Sequence, residues 1–192
     1  GILYDILPIL RPDCFPEGAE IGHQQWLEVM ARNSDQMVCI SKAVADETQL
    51  YLRETKPEIK PPPIGWFHLG ANLSQSGASR GWHENHTKLE QALKTGHSFL
   101  MVGTIEPRKG HLQAIQAVEQ LLDQGEEVNL IVVGKQGWMV DATIDALESS
   151  PYANQKIFWL NNASDEYLNH LYEACDCLIA ASEAEGFGLP LI

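Results

Sequence analysis

Short apolar runs alternate with longer amphipathic stretches through the second half of the chain. The apolar runs predict strands at residues 98–103, 128–134, 156–160 and 177–181. The stretches between them predict helices at residues 111–124, within 139–149 and at 164–174. In the first of these helices, the apolar residues recur at helical spacing before Gly125 ends it. This alternation predicts an α/β fold with a parallel sheet that is covered on both faces.

The first seventy residues follow a less regular form of the same pattern. A strand is predicted over residues 1–10, and Pro8, Pro12 and Pro16 then predict an irregular loop. Ser41 has the position and chemistry of a helix N-cap directly after an apolar strand. The remaining predicted elements are a helix at 20–33, a strand at 37–40, a helix ending before Pro57, an extended connector at 61–63 and a strand at 64–69.

Between residues 71 and 87 the composition shifts to Ser, Gly, Asn and His, which is typical of an interdomain boundary. His83 and His86 lie in this stretch at a spacing that could suit a metal pair. Because no third ligand is near them, we interpret both as solvated linker histidines.

The carboxyl ends of parallel strands meet at one edge of a sheet, which is where α/β proteins bind ligands. The sequence therefore predicts that four turns share this edge, at residues 103–109, 134–138, 160–164 and 182–188. We look for candidate binding chemistry in these four turns.

The first turn carries two adjacent cations, Arg108 and Lys109, just ahead of a predicted helix. Arg binds phosphate oxygens in pairs, Lys adds a point charge, and the free N–H groups of a helix N-terminus favour anions. The pattern predicts a phosphate site. The alternative is a solvated surface pair with Glu106, which is the usual state of surface basic residues.

The last turn places Glu185 before Gly186, Phe187 and Gly188. A carboxylate there could accept hydrogen bonds from sugar hydroxyls, and the glycines would let main-chain N–H groups approach a ligand. Glu183 is interpreted as a solvent-facing carboxylate. Trp138 and Trp159 follow or end strands, where aromatic side chains usually pack into the core.

Composition narrows the classes of function. The net charge of −13 argues against a general nucleic-acid surface. No apolar run approaches the length of a membrane span, and no signal peptide opens the sequence. The four cysteines lack a CxxC spacing and predict buried free thiols, and no catalytic triad, Cys-His pair or zinc set is evident.

Taken together, residues 102–111 and 182–190 resemble the bacterial family 4 glycosyltransferases of the GT-B fold, glycosyl transferases group 1. Residues 5–8, 39–42, 67–71 and 164–168 support the resemblance. It implies that residues 98–192 form a Rossmann-like nucleotide-sugar donor domain, that 73–97 is a linker, and that 1–72 is the later part of a Rossmann-like acceptor domain. The front half of the acceptor domain is expected to lie outside this chain. The donor domain is expected to be incomplete at its carboxyl end, because the second acid of the E-x7-E motif would fall just after Ile192.

The resemblance also implies roles for individual residues. Arg108 and Lys109 match the pair that binds the donor diphosphate, and Glu185 matches the first acid of E-x7-E, near the hexose. Thr104 departs from the Arg that many relatives carry after the glycine of the first turn. The implied donor contacts, with Leu160 beside the nucleobase, are Gly103, Thr104, Leu160, Gly186, Phe187, Gly188 and Leu189.

The resemblance implies a retaining hexosyltransferase that needs no metal or other cofactor. Mannose from GDP-mannose and glucose from UDP-glucose are both open as donors, with a polysaccharide or lipid-linked glycan as acceptor. The expected location is the bacterial cytoplasm, with association at the inner face of the membrane through regions outside this chain left open. Two alternatives also remain: a nucleotide-sugar binding module without turnover, and a sugar-nucleotide epimerase of the same fold.

Overall fold

The computed structural model describes residues 1–70, 78–84 and 86–192. The chain divides into two compact units, each with its own parallel sheet. The first comprises Gly1–Leu73 with Ala184–Pro190 and Ile192, and the second comprises Ser74–Glu183 with Leu191.

The first unit is built on a three-stranded parallel sheet of order β1-β2-β3. Its strands are β1 (Ile2–Leu3), β2 (Met37–Cys39) and β3 (Ile64–Trp66), and its helices are α1 (Leu7–Leu10), α2 (Ala19–Asn33) and α3 (Lys42–Thr55). Fully buried side chains from both kinds of element form its core: Leu3, Leu27, Met37, Val44 and Leu52.

The prediction of a strand over residues 1–10 is wrong beyond Leu3. A carboxylate oxygen of Asp5 accepts a hydrogen bond from the Leu7 amide at 3.0 Å, and this bond starts α1. Pro8 is compatible with the first turn of a helix, where its missing N–H has no intrahelical partner to lose. The N-cap at Ser41 is confirmed, because its Oγ accepts a hydrogen bond from the Val44 amide at 3.2 Å.

The second unit contains a four-stranded parallel sheet of order β6-β5-β4-β7. Its strands are β4 (His97–Val102), β5 (Val128–Val133), β6 (Ile157–Leu160) and β7 (Cys177–Leu178). Its helices are α4 (His86–Ala92), α5 (His111–Asp123), α6 (Asp141–Ser149) and α7 (Asp165–Ala174). All six residues of β5 are buried. One core cluster contains residues of α5 and α6, and another contains residues of α4 and α7, so the predicted parallel sheet with two covered faces is confirmed.

The predicted linker, residues 73–97, lies partly outside the described residues, which omit 71–77 and Asn85. Within its described part, the amide of Ser79 donates to an Asp165 carboxylate oxygen at 2.8 Å. The helix α4 packs into the core cluster that it shares with α7. The domain boundaries drawn from the sequence stay a prediction. His83 is only 9% exposed, so its interpretation as a solvated histidine is wrong. The described residues contain no group of three or more candidate metal ligands.

All four cysteines are free thiols, as predicted. Cys14 and Cys39 are buried, but Cys177 is exposed, because β7 is an edge strand of the described sheet. The prediction of burial is therefore wrong for Cys177, and Cys175 is only partly buried. Among the described helices, none is long and apolar enough to cross a membrane.

One buried polar side chain connects the loop after α4 to the second sheet. Asn129 is fully buried in β5, and its amide nitrogen donates to the carbonyls of Ala92 and Thr95 at 3.0 and 2.9 Å. It also lies 3.2 Å from Ser98 Oγ. Because a buried carbonyl without a partner is costly, Asn129 has a structural role in an otherwise apolar strand.

His111 is a second buried polar residue of this unit. It is the first residue of α5 and is 3% exposed, and its Nδ1 makes no hydrogen bond within the part of the chain that is described. Burial, with a smaller contribution from the charge of Lys109, lowers the pKa of His111 from 6.5 to about 4. The imidazole is therefore neutral at neutral pH.

We predict that His111 makes the second unit sensitive to acid. Between pH 6.5 and 4 the unfolded state binds a proton that the folded state does not, so stability is present at higher pH and falls as the pH is lowered. The total loss is about 3 kcal/mol, from about 1.4 kcal/mol per pKa unit. Urea unfolding at a series of pH values should show that His111→Leu removes this part of the pH dependence. The exposed His97→Leu is the matched control, and an unchanged slope in His111→Leu would contradict the assignment.

Candidate functional site at the carboxyl edge of the second sheet

Three neighbouring strands of the second sheet end at the same level. Val102 of β4 is in register with Val133 of β5, and Val133 is in register with Leu160 of β6. The amide of Gly103 donates to the Val133 carbonyl at 2.9 Å, and the amide of Gly134 donates to the Leu160 carbonyl at 3.0 Å. The prediction that the turns after these strands share one edge is confirmed for this unit.

The first two turns approach each other closely at their glycines. A side chain built on Gly134 would overlap the carbonyl oxygen of Gly103. Gly103 itself has a φ of +136°, a conformation that residues with a side chain rarely adopt. The backbone at this edge therefore requires glycine at both positions.

The rest of the first turn is fixed by backbone contacts to the turn after β5. Ile105 is fully buried, and its amide donates to the Lys135 carbonyl at 2.9 Å. The amide of Gly137 in turn donates to the Ile105 carbonyl at 3.0 Å. These hydrogen bonds fix the backbone at Ile105, from which the chain continues to Arg108 and Lys109.

Lys109 reaches back across the turn that contains Gly103. Its Nζ lies 3.8 Å from the position that a side-chain carbon on Gly103 would occupy, and its side chain is half-buried. Thr104 is exposed in the same turn. The structure brings Gly103 and Lys109 together, and Thr104 follows Gly103 in the same turn. The phosphate-binding roles predicted for these residues stay predictions.

Arg108 and Glu106 form an ion pair with an Nη2–Oε2 distance of 3.0 Å. The side chains are 14% and 10% exposed, respectively. The alternative predicted from the sequence is a solvated surface pair of these two residues. The pairing with Glu106 is confirmed, but the prediction that the pair is solvated is wrong, because both side chains are mostly buried.

The turn is closed on its other end by Gly110 and by the segment after β7. Gly110 has a φ of +70°, and a side-chain carbon there would lie 2.6 Å from the Ala181 carbonyl oxygen. The amide of Glu183 donates to the Arg108 carbonyl at 2.8 Å. α5 then begins at His111, so its N-terminal N–H groups follow directly on the two cations.

Leu160 and the two tryptophans have different surroundings. The side chain of Leu160 is 1% exposed and lies in the core, so a nucleobase could be contacted only by main-chain groups at this position. Trp159 donates its indole N–H to the Gly134 carbonyl at 2.9 Å and packs against the core, as predicted. Trp138 is half-buried.

The turn that contains Glu185 is grouped with the first unit. A side-chain carbon on Gly186 would lie 2.7 Å from the Tyr4 carbonyl oxygen, and the Ser41 hydroxyl donates to the Gly186 carbonyl at 2.7 Å. The rings of Phe187 and His68 are 6.2 Å apart in an edge-on arrangement. The absence of a side chain at Gly186 is thus explained by packing within this unit, and its predicted contact with a ligand stays a prediction.

Among the other residues of this turn, Leu189 is exposed and Glu185, Phe187 and Gly188 are partly buried. Gly188 has a φ of +86°, and Leu189 is 55% exposed. The roles assigned to Glu185, Phe187, Gly188 and Leu189 by resemblance are not tested by this geometry and stay predictions.

The sequence pattern does not predict the burial of two polar residues of the second unit, Glu106 and His111. It indicates Glu106 only as a surface partner of Arg108, and it assigns no role to His111. A signal for His111 exists, because it lies four and seven residues before Ile115 and Val118, on the apolar face of α5. No comparable signal marks Glu106, since its burial depends on contacts between separate turns.

The known proteins that are similar to this chain in sequence include two mannosyltransferases of Escherichia coli. The serotype-specific mannosyltransferase WbdA of Escherichia coli is 44% identical over 194 aligned residues, which cover 100% of this chain and 24% of that protein. The O-antigen chain mannosyltransferase B of E. coli is 34% identical over 94 residues, covering 48% of this chain and 24% of that protein. The chain thus spans about a quarter of the length of these relatives.

Solved structures show the fold. Anabaena Alr3699/HepE, solved in complex with UDP and glucose, matches with a TM-score of 0.65 and 20% identity over 97% of this chain and 47% of that chain. The α,α-trehalose-phosphate synthase (UDP-forming) of Burkholderia xenovorans matches with a TM-score of 0.64 and 13% identity over 96% and 47%. The fold is α/β of the GT-B type.

The family model described as glycosyl transferases group 1 matches residues 84–192, more than half of the chain and nearly all of the second unit's secondary structure. The chain belongs to the family of glycosyl transferases group 1.

Proposed function

We propose that the protein containing this chain is a hexosyltransferase that moves mannose from a nucleotide diphosphate sugar to a growing surface glycan. The observation that carries the proposal is the 44% identity over the whole chain to a serotype-specific mannosyltransferase, within the glycosyl transferases group 1 family. Among the donors, this relative favours a mannosyl donor such as GDP-mannose over UDP-glucose. The acceptor is a polysaccharide or lipid-linked glycan.

The proposed diphosphate site is the turn after β4. Support comes from Lys109, whose Nζ lies over Gly103 at the carboxyl edge of the sheet, and from the N-terminus of α5 that follows. During transfer, negative charge builds on the leaving diphosphate as its bond to the sugar breaks. A fixed ammonium group and helix N–H groups would stabilise that charge most when it is fully developed, which is the condition for catalysis.

Glu185 is the proposed sugar-facing residue. The proposal rests on the resemblance of residues 182–190 to the family's motif and on the chemistry of a carboxylate, which accepts hydrogen bonds from hydroxyl groups. In this scheme Glu185 orients the hexose, while Lys109 and Arg108 act at the diphosphate. No covalent intermediate on Glu185 is required.

We predict that Lys109→Gln and Glu185→Gln each severely reduce transfer in the full-length protein. For Lys109→Gln, loss of a charged donor that acts in the transition state costs about 100-fold or more in kcat. For Glu185→Gln, loss of the charged acceptor that orients the hexose misplaces the reacting carbon, which costs about 100-fold. The measurement is the rate of transfer of labelled mannose from GDP-mannose, with UDP-glucose run in parallel. Lys94→Gln, an exposed lysine of the same unit, is the control and should retain the wild-type rate.

Wild-type rates in both Lys109→Gln and Glu185→Gln would remove the basis of the proposal. Conversion of the donor without any acceptor, followed by proton NMR, would instead favour a sugar-nucleotide epimerase. Binding of nucleotide by the full-length protein without turnover would favour a binding module.

We also propose that transfer retains the donor's anomeric configuration and needs no metal ion, since cationic side chains supply the charge that a metal would otherwise provide. Activity should therefore persist after treatment with EDTA. Proton NMR of the new linkage should show the same anomeric configuration as the donor. Loss of activity with EDTA that Mg²⁺ or Mn²⁺ restores, or an inverted linkage, would contradict this part of the mechanism.

A further inference from the structure

We infer that Glu106 is a positioning residue of the diphosphate site, acting through its buried ion pair with Arg108. The inference rests on the proposed function, because it concerns how the same turn is held for its ligand. It assigns different roles to the two adjacent cations, which the sequence alone does not distinguish. Arg108 is held by Glu106, and Lys109 extends over Gly103.

Burial is the first step of the argument. Glu106 is 9% exposed as a residue, and its Oε2 accepts no hydrogen bond with acceptable geometry within the described part of the chain. Removing a carboxylate from water is costly unless a nearby charge compensates it. The guanidinium of Arg108, 3.0 Å away, supplies that charge. The position of each side chain therefore depends on the other.

The second step is the place of Glu106 in the turn. Its backbone carbonyl accepts a hydrogen bond from the Lys109 amide at 3.0 Å, which closes the short 3₁₀ turn Pro107–Lys109. Its side chain holds Arg108, whose own carbonyl accepts the Glu183 amide at 2.8 Å. Glu106 thus restrains the backbone of Lys109 through its carbonyl and the side chain of Arg108 through its carboxylate.

The third step is charge. The side chains of Glu106, Arg108 and Lys109 together carry one net positive charge, and His111 adds none at neutral pH because its pKa is about 4. If Glu106 merely competed with phosphate for Arg108, its removal would strengthen binding by raising the net charge. If it positions the turn, its removal would weaken binding despite that gain. The two roles predict opposite signs.

The test uses Glu106→Gln in the full-length protein, because Glu106 lines a cavity of about 280 Å³ that an alanine would enlarge. Affinities for GDP and guanosine, and for UDP and uridine, are measured by calorimetry. We expect about tenfold weaker binding of the nucleoside diphosphate, the scale of coupling between contacting residues, and unchanged binding of the nucleoside. A merely structural role would weaken both ligands alike.

Two further variants sharpen the result. Arg108→Gln should weaken the diphosphate at least as much, and Glu106→Gln with Arg108→Gln should bind no more weakly than Arg108→Gln alone, because Glu106 acts through Arg108. Glu127→Gln makes the same substitution in an ion pair of the same unit, that of Glu127 with Lys156 at 2.8 Å, whose carboxylate is largely exposed. It is the control for loss of an ion pair outside the turn and should bind as the wild type does.

Diphosphate binding by Glu106→Gln that equals or exceeds the wild type overturns the inference while leaving the proposed function intact. Additive losses in the double variant, equal losses for diphosphate and nucleoside, or an equal loss in Glu127→Gln also overturn it. If the wild-type protein binds neither GDP nor UDP, the proposed function fails, and the inference fails with it.

Discussion

The close contact between the Gly103 carbonyl and Gly134 is the constraint on which the second unit's functional edge depends. It exists because β4 and β5 run parallel and in register to their last residues, so that both turns leave the sheet at the same level. Neither turn could occupy its position with a side chain at Gly134. From this contact the chain runs through buried Ile105 to the cations, and each step is fixed by backbone hydrogen bonds rather than by flexible side chains.

This rigidity has a chemical consequence. A site that stabilises charge on a leaving group works best when its donors are already in place, because little reorganisation is then needed during the reaction. Here the sheet edge sets the backbone of the turn, and the Glu106–Arg108 ion pair fixes a side chain that would otherwise sample many rotamers. Lys109 and the N-terminus of α5 then contribute positive charge from a defined direction.

The fold of the second unit could be predicted from the sequence because its strands are continuous apolar runs and its helices have clear apolar faces. The start of the first unit could not be predicted in the same way. The apolar residues after β1 belong to the helix α1, which begins with the hydrogen bond to the Asp5 carboxylate and has Pro8 in its first turn. The hydrophobic pattern alone does not distinguish this short helix from a continued strand. Arg108 and Lys109 could be chosen as candidates from their type and place. The burial of Glu106 could not, because it arises where separate turns meet.

The central claim is that the turn after β4 binds the diphosphate of a sugar nucleotide. Hydrogen–deuterium exchange of the full-length protein, with and without GDP or UDP, tests this most directly. The account predicts slower exchange in peptides covering residues 103–111 when the nucleotide is bound, with no change at the opposite edge of the sheet around residues 124–128. Unchanged exchange at 103–111, or protection confined to 124–128, would contradict it.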